Sequence, residues 1–354
     1  MIPDYSGSNP YQTALIDGLR DHAVTVDSAP VEGLFPILGG WYRHGRPDVL
    51  HLHWVHTFLD TEHTPAVPLL GVRLLFELLI LKLFGTTVVW TVHNTIAHEA
   101  RLSAVRRLIR HVVARLADRI IVHCVAAKAV IRDSYGLPSG TLQTVRVVPH
   151  GHYLESYPNE IDPEDARERL GISNEVTVLS FFGLIRPYKN VTGLLSTFLS
   201  IEDPDIRLLV AGRPWNDTLR EEIETIARTD DRILTELAYI PDEEVQTYLN
   251  ASDAIVLPFE SVLTSGSAIL GMSFGRALVV ADTGCVGELV DRSGAITFAP
   301  DEESGLRSAL ERTVHRRDDL TSMGRHNRAA IEQYDWGSIA DRTRQIYLSA
   351  INRR

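Results

Sequence analysis

No Gly-x-Gly occurs anywhere in the 354 residues, and no Gly-x-Ser-x-Gly elbow is present. Gly40-Trp41-Tyr42-Arg43-His44-Gly45-Arg46-Pro47 has the glycine spacing of a phosphate loop but lacks its Lys-Ser/Thr pair. Dinucleotide-dependent hydride transfer, serine esterase chemistry and nucleotide hydrolysis therefore lose their usual support. Cysteine is scarce: Cys124 and Cys285 stand far apart without a partner motif, so the spacing suggests neither a disulfide framework nor a zinc site and fits a reducing cytoplasm. No charged and apolar leader opens the chain, so no signal peptide is expected. The most apolar window, Leu69 to Phe84, is interrupted by Arg73, Glu77 and Lys82 and falls short of a membrane span. It reads as a buried helix, with a helix that also touches a membrane surface as the alternative.

Cation excess is absent as well. With 35 Lys+Arg against 46 Asp+Glu, a net charge of -11 disfavours nonspecific nucleic-acid binding, so any phosphate site must be local. What remains is the composition of a soluble globular protein, 44% apolar, with length for two domains. Strand patterns at 48–53, 87–92, 119–123 and 145–148 alternate with helical ones, which predicts a doubly wound parallel α/β sheet. After Pro149-His150-Gly151 a polar stretch shows neither period, and the alternation restarts at Val176 for a second parallel sheet.

One turn stands out. Val176 to Phe182 is an almost unbroken apolar run, as expected of a strand covered on both faces, and Gly183 lets the chain turn after it. Arg186 and Lys189 follow, then Asn190, expected to cap the next helix, so two cations stand where a phosphate would be held. A second anion-suited helix start follows the strand 254–257, in Glu260-Ser261-Val262-Leu263-Thr264-Ser265-Gly266-Ser267; ordinary capping by Ser265 or Ser267 is the plainer reading. Thr91-Val92-His93-Asn94 to His98-Glu99 leaves a strand of the first half. There His93 could bond a sugar hydroxyl or stabilise a leaving phosphate, and Glu99 could orient it or an acceptor. Twelve of the fourteen histidines precede Tyr153, and those at 51, 53, 56, 93 and 98 cluster at strand ends, which suggests a polar cleft wall. No paired-ligand spacing indicates a metal site.

These residues together resemble the retaining glycosyltransferases of the GT-B fold, closest to family four, the glycosyl transferases group one. The similarity covers nearly the whole chain. It is carried by Asp48 to Trp54, Thr91-Val92-His93-Asn94, Asp118 to His123, Val148-Pro149-His150-Gly151, the Gly183 to Asn190 turn, Leu209 to Gly212, Tyr239 to Val245, Ser252-Asp253-Ala254, Ser265-Gly266-Ser267 and Tyr334-Asp335-Trp336. The resemblance implies two facing Rossmann-like domains: an acceptor domain at 1–158, a nucleotide-sugar domain at 159–333, and a helix at 334–354 returning to the first. It implies transfer of a hexose from a nucleoside diphosphate sugar to a saccharide or lipid-linked acceptor, in polysaccharide or glycoconjugate biosynthesis, with no cofactor or metal. The chain would be cytoplasmic, at the inner face of a membrane, with weak, salt-sensitive contact there through Arg101, Arg106, Arg107 and Arg110.

The resemblance makes Arg186 and Lys189 the catalytic pair that neutralises charge on the leaving diphosphate, and His93, read from its place at a strand end, is the third catalytic candidate. Gly183, Glu260, Thr264, Ser265, Gly266, Ser267 and Glu288 would serve the donor; His53, Asn94, His98 and Glu99 would serve the acceptor. Two departures from the family stand out. Val262 and Leu270 occupy the places of two family glutamates, with Glu260 out of register and Glu288 as a replacement; and the first strand is missing ahead of Pro3, which would leave an open edge at 48–53. A nucleotide-sugar epimerase of the same fold and a catalytically silent nucleotide-sugar-binding module are the competing expectations.

Overall fold

The computed structural model describes residues 1–7, 9–59, 64–94 and 103–352. The chain divides into two compact units, 1–151 with 334–354, and 152–333. In the first, α1 (Pro10–Asp21), α2 (Pro36–His44), β1 (Val49–Leu52), α3 (Val67–Leu83), β2 (Thr87–Thr91), α4 (Ser103–Leu116), β3 (Arg119–Val122), α5 (Val125–Tyr135) and β4 (Val145–Val147) build a parallel sheet in the order β1-β2-β3-β4. Strands β2 and β3 are buried along their whole length, which explains their continuous apolar runs.

The edge at β1 is not open. Ile2 lies parallel to Leu52, donates its N–H to the His51 carbonyl at 3.1 Å, accepts from the His53 N–H at 3.0 Å and is 2% exposed. The strand expected to be missing is thus represented by a single residue, too short to show any period. Neither cysteine is a free thiol, which corrects the expectation drawn from their spacing.

Helix α3 is apolar nearly all round, and its charges are used locally. Glu77 points inward and accepts from the N–H groups of Ile37 and Leu38 at 2.9 and 3.0 Å, holding the start of α2. Burial raises its carboxyl above the ordinary value. Lys82 bonds both Asp118 oxygens, at 2.8 and 2.9 Å. Replacing Glu77 with Ala orphans two N–H groups, and an urea-unfolding series should show a loss of about 1–3 kcal/mol. An unchanged midpoint would remove the carboxylate from the account of α2.

The second unit holds α6 (Pro163–Leu170), β5 (Thr177–Phe182), α7 (Val191–Leu199), β6 (Ile206–Ala211), α8 (Asp217–Ala227), β7 (Ile233–Glu236), α9 (Val245–Ala251), β8 (Ala254–Leu257), α10 (Gly266–Ser273), β9 (Ala277–Ala281), α11 (Val286–Leu289), β10 (Ala295–Phe298), α12 (Gly305–His315) and α13 (Leu320–Ile331); α14 (Trp336–Ile351) belongs to the first unit. Helix α6 falls in the stretch where no period is visible, because it is short and polar and is defined by its ends. Asp162 caps it and Gly171 stops it in the left-handed region. The sheet runs β10-β9-β8-β5-β6-β7, all parallel. The chain builds outward from β5 to β7, then returns to place β8 on the other side of β5. The carboxyl ends of β5 and β8 therefore flank the topological switch point, where open α/β sheets take ligands. Among the described residues no helix is long and apolar enough to cross a membrane.

Candidate functional site

The turn after β5 is drawn tight by glycines. Gly183 sits at φ 118°, its N–H donating to the Ala211 carbonyl at 3.0 Å. A side chain on Gly212, at φ 145°, would place its Cβ 2.0 Å from the Gly183 carbonyl oxygen. Because both positions are confined to glycine, the backbone ends of β5 and β6 touch. A Cβ on Gly183 would lie 3.3 Å from Ser267 Oγ and 3.9 Å from Lys189 Nζ, so the turn, the first turn of α10 and a cation converge on one small volume. Gly212→Ala should displace Gly183 and destabilise the second unit. Circular dichroism melts would show a markedly lower midpoint, and a wild-type melt would contradict the contact.

Lys189 is half-buried, its ammonium 5.6 Å from the Phe181 ring and 5.5 Å from the Phe259 ring. Desolvation, and then the charge of Arg186, push it down to about 8. A partly dehydrated cation beside a second cation is poised for an anion, since bound negative charge relieves both penalties. Arg186 lies with its guanidinium 3.7 Å over the Trp215 ring, which fixes its plane. Asn190 does not cap α7: it closes the turn through its N–H to the Pro187 carbonyl, which leaves it left-handed at φ 52° with no side-chain cap bond.

Of the other donor residues, Ser265 takes the plainer role. Its Oγ caps α10 by accepting from the Ala268 N–H at 3.1 Å, and it is buried. Gly266 opens α10 where a Cβ would come within 3.4 Å of the Tyr153 hydroxyl. Thr264 faces Cys285 Sγ at 3.7 Å. Glu260 is exposed, and its backbone N–H donates to the Tyr188 carbonyl at 3.1 Å; its side chain lines a hollow with Asp301, Glu302 and Glu303, a surrounding unsuited to a phosphate. Glu288 is exposed on α11, which follows a loop seated on the 262–263 backbone: the Cys285 N–H donates to the Leu263 carbonyl at 2.8 Å.

Among the described residues, His51, His53, His93 and His123 form no polar wall. His51, His53 and His123 are buried, with His93 at the limit, and the rings of His53, His93 and His123 surround Tyr11. The hydrogen bonds order the protons. The Val148 carbonyl accepts from Nδ1 of His123 at 2.9 Å, leaving its Nε2 to accept from Nδ1 of His93 at 3.4 Å. His93 Nε2 then accepts from His53 Nδ1 at 3.0 Å, and the lone pair of His53 Nε2 ends the chain, buried and without a hydrogen-bond partner.

Two expectations are corrected by this arrangement. His53, fully buried, does not present itself to an acceptor. Both nitrogens of His93 already have partners, and its ring stacks on Trp54 at 4.5 Å, so neither a sugar hydroxyl nor a phosphate finds an open nitrogen there. Burial comes first among the causes that hold these imidazoles neutral: His53 and His93 fall well below the ordinary value, His123 to about 4 and His150 to about 3. A neutral imidazole packs as an aromatic ring, which is why the cluster tolerates the interior. Asn94 is exposed after β2, while His98 and Glu99 lie outside the described residues. Among the described residues no group of three or more His, Cys, Asp or Glu is placed to hold a metal ion.

Sequence reasoning missed Trp215 and Arg213, which with Arg186, Asn216 and Arg220 line a hollow of about 430 Å³ at the end of β6. The signal available was Gly212-Arg213-Pro214-Trp215, an aromatic and a cation just past a strand-end glycine.

The two parallel α/β units are those of the GT-B fold, and the proteins similar in sequence mark the chain as a glycosyltransferase. Within that class, residues 176–316 match the family model of the glycosyl transferases group 1. The chain is similar to a GDP-mannose:glycolipid 4-beta-D-mannosyltransferase of Xanthomonas campestris pv. campestris, 27% identical over 98% of this chain and 90% of the relative. It is also similar to a phosphatidyl-myo-inositol mannosyltransferase of Mycobacterium tuberculosis, 24% identical over 87% of this chain and 75% of that one. In fold it matches a sucrose-phosphate synthase of Thermosynechococcus elongatus at a TM-score of 0.73 and 17% identity, covering 90% of this chain and 77% of that one.

Proposed function

We propose that the chain transfers mannose from GDP-mannose to a glycolipid or other saccharide acceptor, without a metal, at the cytoplasmic face of a membrane. The observation that carries the reading is the meeting of Lys189, Ser267 and the Gly183 backbone beside Arg186 at the switch point of the second sheet. As the bond from the sugar to the diphosphate breaks, negative charge grows on the leaving oxygen. Two cations already in place stabilise that charge more than they stabilise the intact donor. GDP-mannose and a glycolipid acceptor are supported by the name of the Xanthomonas relative.

The test is a thermal-shift screen of nucleoside diphosphate sugars in EDTA, followed by transfer from the best donor. Transfer that appears only on adding magnesium or manganese would overturn the metal-free reading. Binding without transfer to any acceptor would favour a silent module, and donor turnover without acceptor would favour an epimerase.

Retention at the anomeric carbon is what the resemblance implies. The β linkage in the relative's name favours a second reading, because GDP-mannose carries an α bond and a β product requires inversion. The anomeric proton–carbon coupling of the product distinguishes the two outcomes.

A further inference from the structure

The exposed face of α3 carries Leu69, Val72, Phe76, Leu79 and Leu83, at spacings of three, four, three and four, with exposures from 48% to 84%. They form one stripe along the helix, opposite the buried Val67, Leu74, Leu78 and Leu81. The stripe continues sideways, since Phe35 before α2 meets Phe76 at 6.1 Å and Trp41 meets Phe84 at 5.1 Å. A contiguous apolar surface of this kind marks a contact with something outside the chain.

The surrounding charge selects the partner. Helices α2, α3 and α4 together carry seven Arg or Lys and one acidic residue, Glu77, which faces inward, in a chain whose net charge is -11. Arg43 and Arg107 are exposed, and the exposed Arg46 is held at the end of the stripe by donating to the Phe84 carbonyl. A second copy would bring the same cationic rim against itself, which is repulsive in a symmetric dimer. An apolar stripe with Arg46 at its end and exposed Arg43 and Arg107 on the flanking helices fits instead the interface of an anionic bilayer, apolar side chains below the headgroups and guanidinium groups among the phosphates.

We propose that this face of α3 docks the first unit on an anionic lipid bilayer by shallow insertion. The surface is argued independently of the transfer reaction; its use, bringing the chain to a lipid-borne acceptor, rests on the glycolipid reading above. The structure shifts the contact from where the sequence places it: Arg110 is 6% exposed and unavailable to lipid, and Arg101 lies outside the described residues.

The experiment is flotation of the full chain with phosphatidylcholine vesicles, with and without phosphatidylglycerol, at low and high salt. Binding to the anionic vesicles that persists in part at high salt is expected. Leu79→Glu with Leu83→Glu, both exposed and so compatible with folding, should weaken it at least tenfold at unchanged melting temperature. Arg43→Glu with Arg107→Glu should remove only the salt-sensitive part. Transfer to a water-soluble acceptor should be unaffected in all variants, which separates failure of docking from failure of the glycosyltransferase reading. Absence of flotation, or a stripe variant that floats as wild type does, would overturn the proposal. So would a wild-type dimer in sedimentation that the stripe variant converts to monomer, since the face would then belong to a second copy.

Discussion

Arg186→Ala and Lys189→Ala should each lower kcat/KM for the donor by about a hundredfold to a thousandfold, equivalent to about 3–4 kcal/mol of lost transition-state stabilisation. The melting temperature should stay near wild type, since removing either cation relieves the repulsion between the two. The two differ in their pH dependence. Lys189, held down to about 8 in the free protein, is cationic below that pH and neutral above it. Donor kcat/KM should therefore fall as pH rises through about 8, with a slope approaching tenfold per unit. Lys189→Arg keeps its charge throughout, so that limb should vanish even where the plateau is lower. A wild-type profile flat to pH 10, or variants of full efficiency, would remove these cations from the mechanism. Trp215→Ala tests the support for Arg186: a loss larger in kcat than in binding is expected when a cation is present but poorly oriented.

The turn at Gly183 to Lys189 was legible because its parts are local. A short unbroken apolar run rich in β-branched and aromatic residues reads as a covered strand, and a glycine followed by cations at its end is a connection of the kind that binds anions. Strand order was less legible. Sequence alternation predicts parallel strands without saying that β8 returns beside β5, and it is that return which places Ser267 against Gly183. Ser265 shows how one residue type serves two roles: a hydroxyl at a helix start caps or binds a ligand, and only its distance to the Ala268 N–H separates the two. Ile2 escaped because one residue of pairing has no period.

The histidines were misread for a different reason. Composition places them at strand ends, where a polar residue ordinarily faces a cleft. Burial, invisible in the sequence, turns them instead into neutral aromatic packing around Tyr11, with α14 closing the far side through the bond of the Tyr347 hydroxyl to His51 Nδ1 at 2.6 Å. The family glutamates replaced by Val262 and Leu270 remain a matter of sequence. Leu270 is buried in α10 and Val262 packs its carbonyl toward Gly284, so neither position offers a polar group in their place.

That neutral cluster should make the first unit acid-labile. In the unfolded chain a histidine takes its proton near pH 6.5, whereas buried His123 does so only at about 4. Between those values the unfolded state binds more protons than the folded one, so stability present above pH 6.5 is lost as pH falls toward 4. For His123 alone, at about 1.4 kcal/mol per unit, the loss is about 3 kcal/mol, an order-of-magnitude figure. His53 and His93 are shifted in the same direction, first by burial and then by neighbouring imidazoles, and they add to the loss. Unfolding by urea at pH 7 and pH 4 should therefore show a steep decline. His123→Asn should start lower at pH 7, because it disturbs the bond to the Val148 carbonyl, yet fall less on acidification, because one titrating group is gone. Equal stability at the two pH values would mean that the imidazoles reach water in the folded protein and that the cluster is the polar wall after all.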